Sequence, residues 1–229
     1  MAEMEIIEVI NFSELIRPEV SRLVAISCWR SGAFRYGVFR LVSGLCSPVY
    51  VQTELLLADT TTRDIVVSLM AATIKELDID VFAGGELRGV PFADLLGYKL
   101  GKPSVAVRKE LKEHGADQNF WIAGMTPQDF KGKKVLLTED LITDGKSKMV
   151  FINGIRNSGG IVQHCLAVVN RCQGGDQKLL EVGVELHYLT TLDEIETVGR
   201  EKGILRPDQI KEIAEYRADP KAWNKKRSQ

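Results

Sequence analysis

The chain has 229 residues, 45 % hydrophobic and 27 % charged, enough to bury a full core in one domain with an appendage. Thirty basic residues against thirty-one acidic ones leave a formal net charge of −1, which argues against a general nucleic-acid binder. No apolar stretch approaches the roughly 18 residues of a membrane helix, and the acidic opening Met1-Ala2-Glu3-Met4-Glu5 is unlike a basic secretory signal, so a cytoplasmic protein that contacts neither membrane nor nucleic acid is expected.

Residues 1–50 do not share the pattern of the rest. Leu15 to Trp29 reads as a helix, and Gly32 to Tyr50 is turn-rich with strand fragments, together a hood over the core. From about residue 60 helical and extended patterns alternate, which predicts an α/β fold with a mostly parallel central sheet flanked by helices. Thr62 to Glu76 carries a helical stripe at Ile65, Val66, Leu69, Met70, Ala72 and Ile74. Val81-Phe82-Ala83 is a short buried strand that runs into Gly84-Gly85, and Val90 to Leu100 is a helix with Pro91 in its first turn. Ser104 to Val107 is the next strand, and residues 109–126 form a long polar loop around Gly115. A strand over 134–138, a helix over about 146–158, a strand from Cys165 to Val169, a helix over about 176–182 and a last core strand at His187 to Leu189 follow. Pro207 to Arg217 is a C-terminal helix, followed by a basic tail read as a solvated end anchored by Trp223. The division predicted is 1–50 hood, 51–199 core and 200–229 helical extension, within one structural domain.

Cys28, Cys46, Cys165 and Cys172 lack metal-ligand spacing and read as free thiols, and His164 and His187 stand isolated in sequence and read as structural. The chemistry is expected elsewhere. Val135-Leu136-Leu137 leads through Thr138 into Glu139 and Asp140, then Leu141-Ile142, then Thr143-Asp144-Gly145-Lys146-Ser147. That is a strand, an acidic end, a tight turn and a helix start. A helix start presents free N–H groups and partial positive charge to a phosphate, while the carboxylates suit sugar hydroxyls or a metal. Gly145-Lys146-Ser147 resembles the close of a Walker A loop, but Asp140 stands where that motif needs glycine. A strand with a solvated acidic turn accounts for the apolar run but not for the Thr-x-Gly-x-Ser.

Two further segments are polar where anions could bind. Gly84-Gly85-Glu86-Leu87-Arg88-Gly89 joins a strand to a helix, either as an anion-binding turn or as an ordinary glycine turn. Arg108-Lys109-Glu110-Leu111-Lys112-Glu113-His114-Gly115 gathers cations at the start of the polar loop, where a solvated charge run is the alternative.

The segment 135–147 resembles the phosphoribosyl-pyrophosphate signature of type I phosphoribosyltransferases, and 84–89 corresponds to their pyrophosphate loop, with Arg88 at its basic position. The pattern Arg108-Lys109-x-x-Lys112-x-His114-Gly115 is similar to the mobile catalytic loop of orotate phosphoribosyltransferases, one branch of that family. Phe39 to Tyr50, with its Ser43-Gly44 and Ser47-Pro48, and Gly159 to Arg171 agree with that branch, and Ala218 to Trp223 is similar to a C-terminal extension in some bacterial members. Val42, Glu54 and Ala123 depart from its common lysine, arginine and glutamate.

The resemblance implies a type I phosphoribosyltransferase-like fold and transfer of phosphoribose from phosphoribosyl pyrophosphate to N1 of orotate, in pyrimidine biosynthesis. It implies a homodimer, Mg²⁺ bound mainly through the donor substrate, and no confident side-chain metal ligand. Donor contacts are implied for Leu87, Arg88, Arg108, Lys109, Lys112, His114, Glu139, Asp140, Leu141, Ile142, Thr143, Asp144, Gly145, Lys146 and Ser147. Orotate contacts are implied for Thr143 and Arg171, and catalytic roles for Lys109, Lys112, His114 and Asp140. The rivals are transfer to another base and a non-catalytic sensor of phosphoribosyl pyrophosphate.

Overall fold

The computed structural model describes residues 12–40, 44–111 and 119–227. Lys112, His114 and Val42 lie outside them. Helix α1 (Phe12–Arg30) leads into an antiparallel hairpin, β1 (Phe34–Arg40) and β2 (Cys46–Val51). Helices α2 (Glu54–Ala58) and α3 (Thr60–Thr73) precede β3 (Val81–Gly85), α4 (Val90–Leu100) and β4 (Ser104–Val107). After the polar loop come β5 (Ile122–Ala123), α5 (Pro127–Phe130), β6 (Lys134–Ile142), α6 (Lys146–Asn157), β7 (Ile161–Asn170), α7 (Gly175–Leu180) and β8 (Glu185–Thr191). The chain then forms α8 (Leu192–Glu201), α9 (Pro207–Ala218) and α10 (Pro220–Arg227).

Strands β5-β4-β3-β6-β7-β8 form one sheet, parallel throughout except for β5, which runs antiparallel to β4. Buried on both faces, its strands read as near-continuous apolar runs. On one face Phe82, Leu136, Leu166 and Val168 join residues of α1, α3, α4, α8 and the hairpin. On the other Val81, Leu137, Cys165 and Ala167 pack with Phe130, Phe151, Ile152 and Leu179. The chain moves from β3 outward to β4 and later returns to the opposite side of β3 with β6. This reversal opens a crevice beyond the carboxyl ends of β3 and β6, where open α/β sheets bind ligands.

Several elements differ from the sequence expectation. Strand β6 runs to Ile142 rather than to 138, and β7 spans Ile161–Asn170 rather than Cys165–Val169, because their parallel ladder continues from Lys134↔Ile161 to Ile142↔Asn170. The acidic pair therefore lies within a strand rather than after one. Loop 109–126 contains β5, recruited as an edge strand by Val107↔Ile122 and Ala106↔Ala123. The basic tail, anchored by Trp223 against Tyr216 with its cations in solvent as expected, is in addition helical, as α10. Helix α1 packs on the main core: Trp29 Nε1 donates to the Ile195 carbonyl at 2.7 Å, and the Ser21 and Thr190 hydroxyls bond at 3.0 Å.

Candidate active site

Glu139 and Asp140 are each 3 % exposed, near the carboxyl end of β6. They point into different surroundings, as neighbours on a strand must. Glu139 meets Lys148, with Nζ to Oε2 at 3.0 Å, and Lys148 is itself 8 % exposed. Burial pushes the Glu139 carboxyl up to about 7 against the pull of Lys148. Burial also works against the Lys148 ammonium, but Glu139 and then Asp140 outweigh it and hold its pKa above the ordinary lysine value. The other Glu139 oxygen, Oε1, is buried without a hydrogen-bond partner. A Cβ on Gly85 would lie 2.1 Å from it, so only glycine lets β3 pass so close.

Asp140 faces the connection from β2 to α2. Its Oδ2 accepts from the Thr53 hydroxyl at 2.8 Å and lies 3.9 Å from Arg88 Nη1. Arg88 also pairs with Glu54 at 3.0 Å and donates to the Tyr50 hydroxyl at 3.4 Å. The Tyr50 bond, then Glu54 and Asp140, hold the guanidinium pKa above its ordinary value despite partial burial. The chain leaving β2 thus closes on the turn after β3. In that turn the Glu86–Leu87 peptide bond is cis, and Leu87 is exposed. Glu86 accepts from the Lys109 backbone N–H at 3.3 Å, which brings the start of the cationic loop alongside. Arg108 donates its backbone N–H to Trp121 O at 2.9 Å, and its buried Nε has no hydrogen-bond partner among the described residues.

Residues 143–147 form the turn from β6 into α6. Gly145 takes the left-handed conformation (φ 75°) that this reversal requires. Lys146 is exposed and lies against Asp144: its N–H reaches Asp144 Oδ1 and its Nζ reaches Oδ2, both at 3.1 Å. The backbone bond from Lys146, more than its charge, keeps the Asp144 carboxyl below its ordinary range. Ser147 is exposed and Thr143 half-buried, whereas Leu141 and Ile142 turn their side chains inward and offer only backbone to a ligand. Arg171 is tied to this turn, its N–H donating to Ile142 O at 3.0 Å. Burial lowers the Arg171 pKa, and its Nε is a buried donor with no partner.

The carboxyl ends of β3 and β6 thus gather the acidic pair, Arg88 and the Thr143–Ser147 turn, with Lys109 at their margin, whereas the Arg171 side chain sits among Tyr216, Arg217 and Glu196 of α8 and α9. Sequence reasoning missed Lys148, Thr53, Tyr50 and Glu86. Only Lys148 left a signal: a lysine at the head of the stripe Phe151, Ile152 and Ile155, where helical spacing puts it on the buried face. Glu54, noted as a departure from a common arginine, is the partner of Arg88. The carboxylates do not stand bare for direct metal ligation, since Lys148 engages Glu139 while Thr53 and Arg88 engage Asp140.

Comparison with known proteins adds a family context. No family model matches the chain. Orotate phosphoribosyltransferase of Sinorhizobium fredii is 35 % identical, the alignment covering 90 % of this chain and 91 % of that protein. That of Sinorhizobium medicae is 36 % identical, with the same coverage of both chains. The crystal structure of orotate phosphoribosyltransferase from Aeropyrum pernix superposes with a TM-score of 0.68 at 29 % identity, over 80 % of this chain and 99 % of that one.

Proposed function

The chain belongs to the orotate phosphoribosyltransferase family, and from that premise we propose that its crevice transfers 5-phosphoribose from phosphoribosyl pyrophosphate to N1 of orotate, releasing pyrophosphate. The observation that carries this reading is the buried Glu139–Asp140 pair at the sheet reversal, followed at once by the left-handed Gly145 turn into α6. Cleavage of the anomeric C–O bond leaves positive charge on the ribosyl ring and negative charge on the departing diphosphate, and catalysis consists of stabilising both. Glu139 and Asp140 hold the ribose hydroxyls and favour the ring cation. The N–H groups of residues 143–147, at the start of α6, grip the 5′-phosphate.

Arg88 exchanges Glu54 for the diphosphate, joined by Arg108, Lys109 and Lys112. Magnesium, when bound with the donor, supplies further neutralisation of the diphosphate. Arg171 presents a guanidinium fork to the orotate carboxylate, and Thr143 borders the same base. Orotate brings its own acidic ring nitrogen, so no protein nucleophile is required; His114 assists in managing charge. The loop from Lys109 closes over the site of a partner subunit in a homodimer and excludes water from the ring cation. The setting is cytoplasmic.

The test is the loss of orotate absorbance on adding phosphoribosyl pyrophosphate and Mg²⁺ to the purified chain. Turnover of orotate that uracil and hypoxanthine do not inhibit supports the assignment. Inhibition by either base points to a salvage activity, and donor binding without turnover points to a sensor.

A further inference from the structure

His164 and His187, remote in sequence, meet on the sheet near its lower end, away from the crevice. Both belong to adjacent strands, with His164 on β7 in register with Glu185 on β8 and His187 two residues further along β8. A bulge on β7, where Val162 and His164 pair with the consecutive residues Val135 and Leu136, turns His164 onto the face it shares with Leu166. Three ligand atoms converge there. His164 Nδ1 lies 3.1 Å from His187 Nε2 and 3.6 Å from Glu185 Oε2, and His187 Nε2 lies 3.9 Å from the same oxygen. These separations bracket the roughly 3.3 Å edge of a tetrahedron with the roughly 2.0–2.1 Å bonds zinc makes to imidazole nitrogen and carboxylate oxygen, so a small adjustment of the exposed Glu185 seats the ion.

We propose that His164, Glu185 and His187 form a binding site for a divalent transition ion of the zinc class, joining β7 to the edge strand β8. Two imidazoles and one carboxylate favour zinc, nickel or cobalt over magnesium, which takes oxygen ligands at stricter octahedral geometry. The histidines are half-buried and held by the strand ladder, whereas Glu185 is largely exposed, so the fourth coordination position opens to solvent. Among the described residues strand β8 pairs in the sheet with β7 alone, and an ion shared by the two strands closes the segment between His164 and His187. Such an ion stabilises the folded chain by an amount that grows with the logarithm of its free concentration above the dissociation constant. The chemistry of the crevice does not require it.

The test is a calorimetric titration of the metal-freed full chain with zinc chloride in saturating Mg²⁺, which occupies oxygen-rich sites. The expected result is one zinc per chain with micromolar or tighter affinity, a raised melting temperature, and binding at least about tenfold weaker in His164→Ala and in His187→Ala. Glu185→Gln should weaken binding less, and His114→Ala, which removes the only other histidine, should leave it unchanged. Cobalt substitution in the wild-type chain gives a second readout, independent of how the variants fold: a tetrahedral nitrogen–oxygen spectrum without a thiolate charge-transfer band. No zinc uptake, uptake indifferent to both histidine variants, or a thiolate band would overturn the proposal. Orotate turnover by His187→Ala should match wild type, so failure here is separable from failure of the transferase reading.

Discussion

Asp140 and Glu139 are neighbours held in opposite ways, and they should respond differently to substitution. Asp140 accepts one neutral hydroxyl and sits near one guanidinium, so Asp140→Asn should keep the fold and lose catalysis. A loss of about 10² to 10³ in kcat is expected for removing a preorganised charge, measured by single-turnover kinetics with melting temperature as control. Glu139 depends on a buried cation. With its pKa at about 7, the carboxylate is lost as pH falls through that value, so kcat/KM should fall on the acid side of about pH 7. Lys148→Met removes the counter-charge and should move that acid limb to higher pH, which a pH–rate profile would read. The same shift has a cost in stability. A carboxyl raised in the folded state contributes most below its unfolded value of 4.5, and that contribution disappears as pH rises toward 7. Glu196, lifted to about 7 by burial against the opposing pull of Arg217, behaves likewise. Glu196→Gln should therefore flatten the loss of stability between about pH 4.5 and 7, on the order of 2 kcal/mol in urea titrations.

At the scale of elements, the C-terminal helices bind the β1–β2 hairpin. Asn224 on α10 makes a paired contact with the backbone of Cys46, accepting its N–H at 2.6 Å and donating to its carbonyl at 2.9 Å. Tyr36 on β1 and Arg227 on α10 both bond Glu212 on α9, and Arg227 lies 4.5 Å over the Trp223 ring. The extension thus substitutes for the sheet that an isolated two-stranded hairpin lacks. The hairpin in turn leads through Tyr50, Thr53 and Glu54 to Arg88 and Asp140, so its looseness would be felt in the crevice. Asn224→Ala should cost about 1 to 3 kcal/mol and raise amide exchange across Cys46–Val51 more than in β6. Equal protection in both strands would show that the hairpin does not need the extension.

At the scale of the whole molecule, the reading requires cations from one chain over the acidic pair of another. A mixture of Lys112→Ala and Asp140→Asn chains tests this directly. In a shared-site homodimer each mixed dimer has one site carrying both substitutions and one carrying neither, so an equimolar mixture should recover about one quarter of wild-type activity after exchange. Sites built within one chain would give only the mean of the two crippled variants.

Sequence alone determined the parallel α/β core, because strands buried on both faces must be apolar runs and the helices between them must carry stripes. It also determined the strand, turn and helix start of 135–147, whose turn needs glycine at 145. It could not reach Lys148 under Glu139, Thr53 under Asp140 or Asn224 on Cys46, since each pairing joins elements that meet only when the core closes. Nor could it see that the two histidines touch. They became neighbours through strand register and one bulged residue, which sequence spacing does not encode, and the low-dielectric interior that sets the Glu139 carboxyl at about 7 exists only once both faces of the sheet are covered.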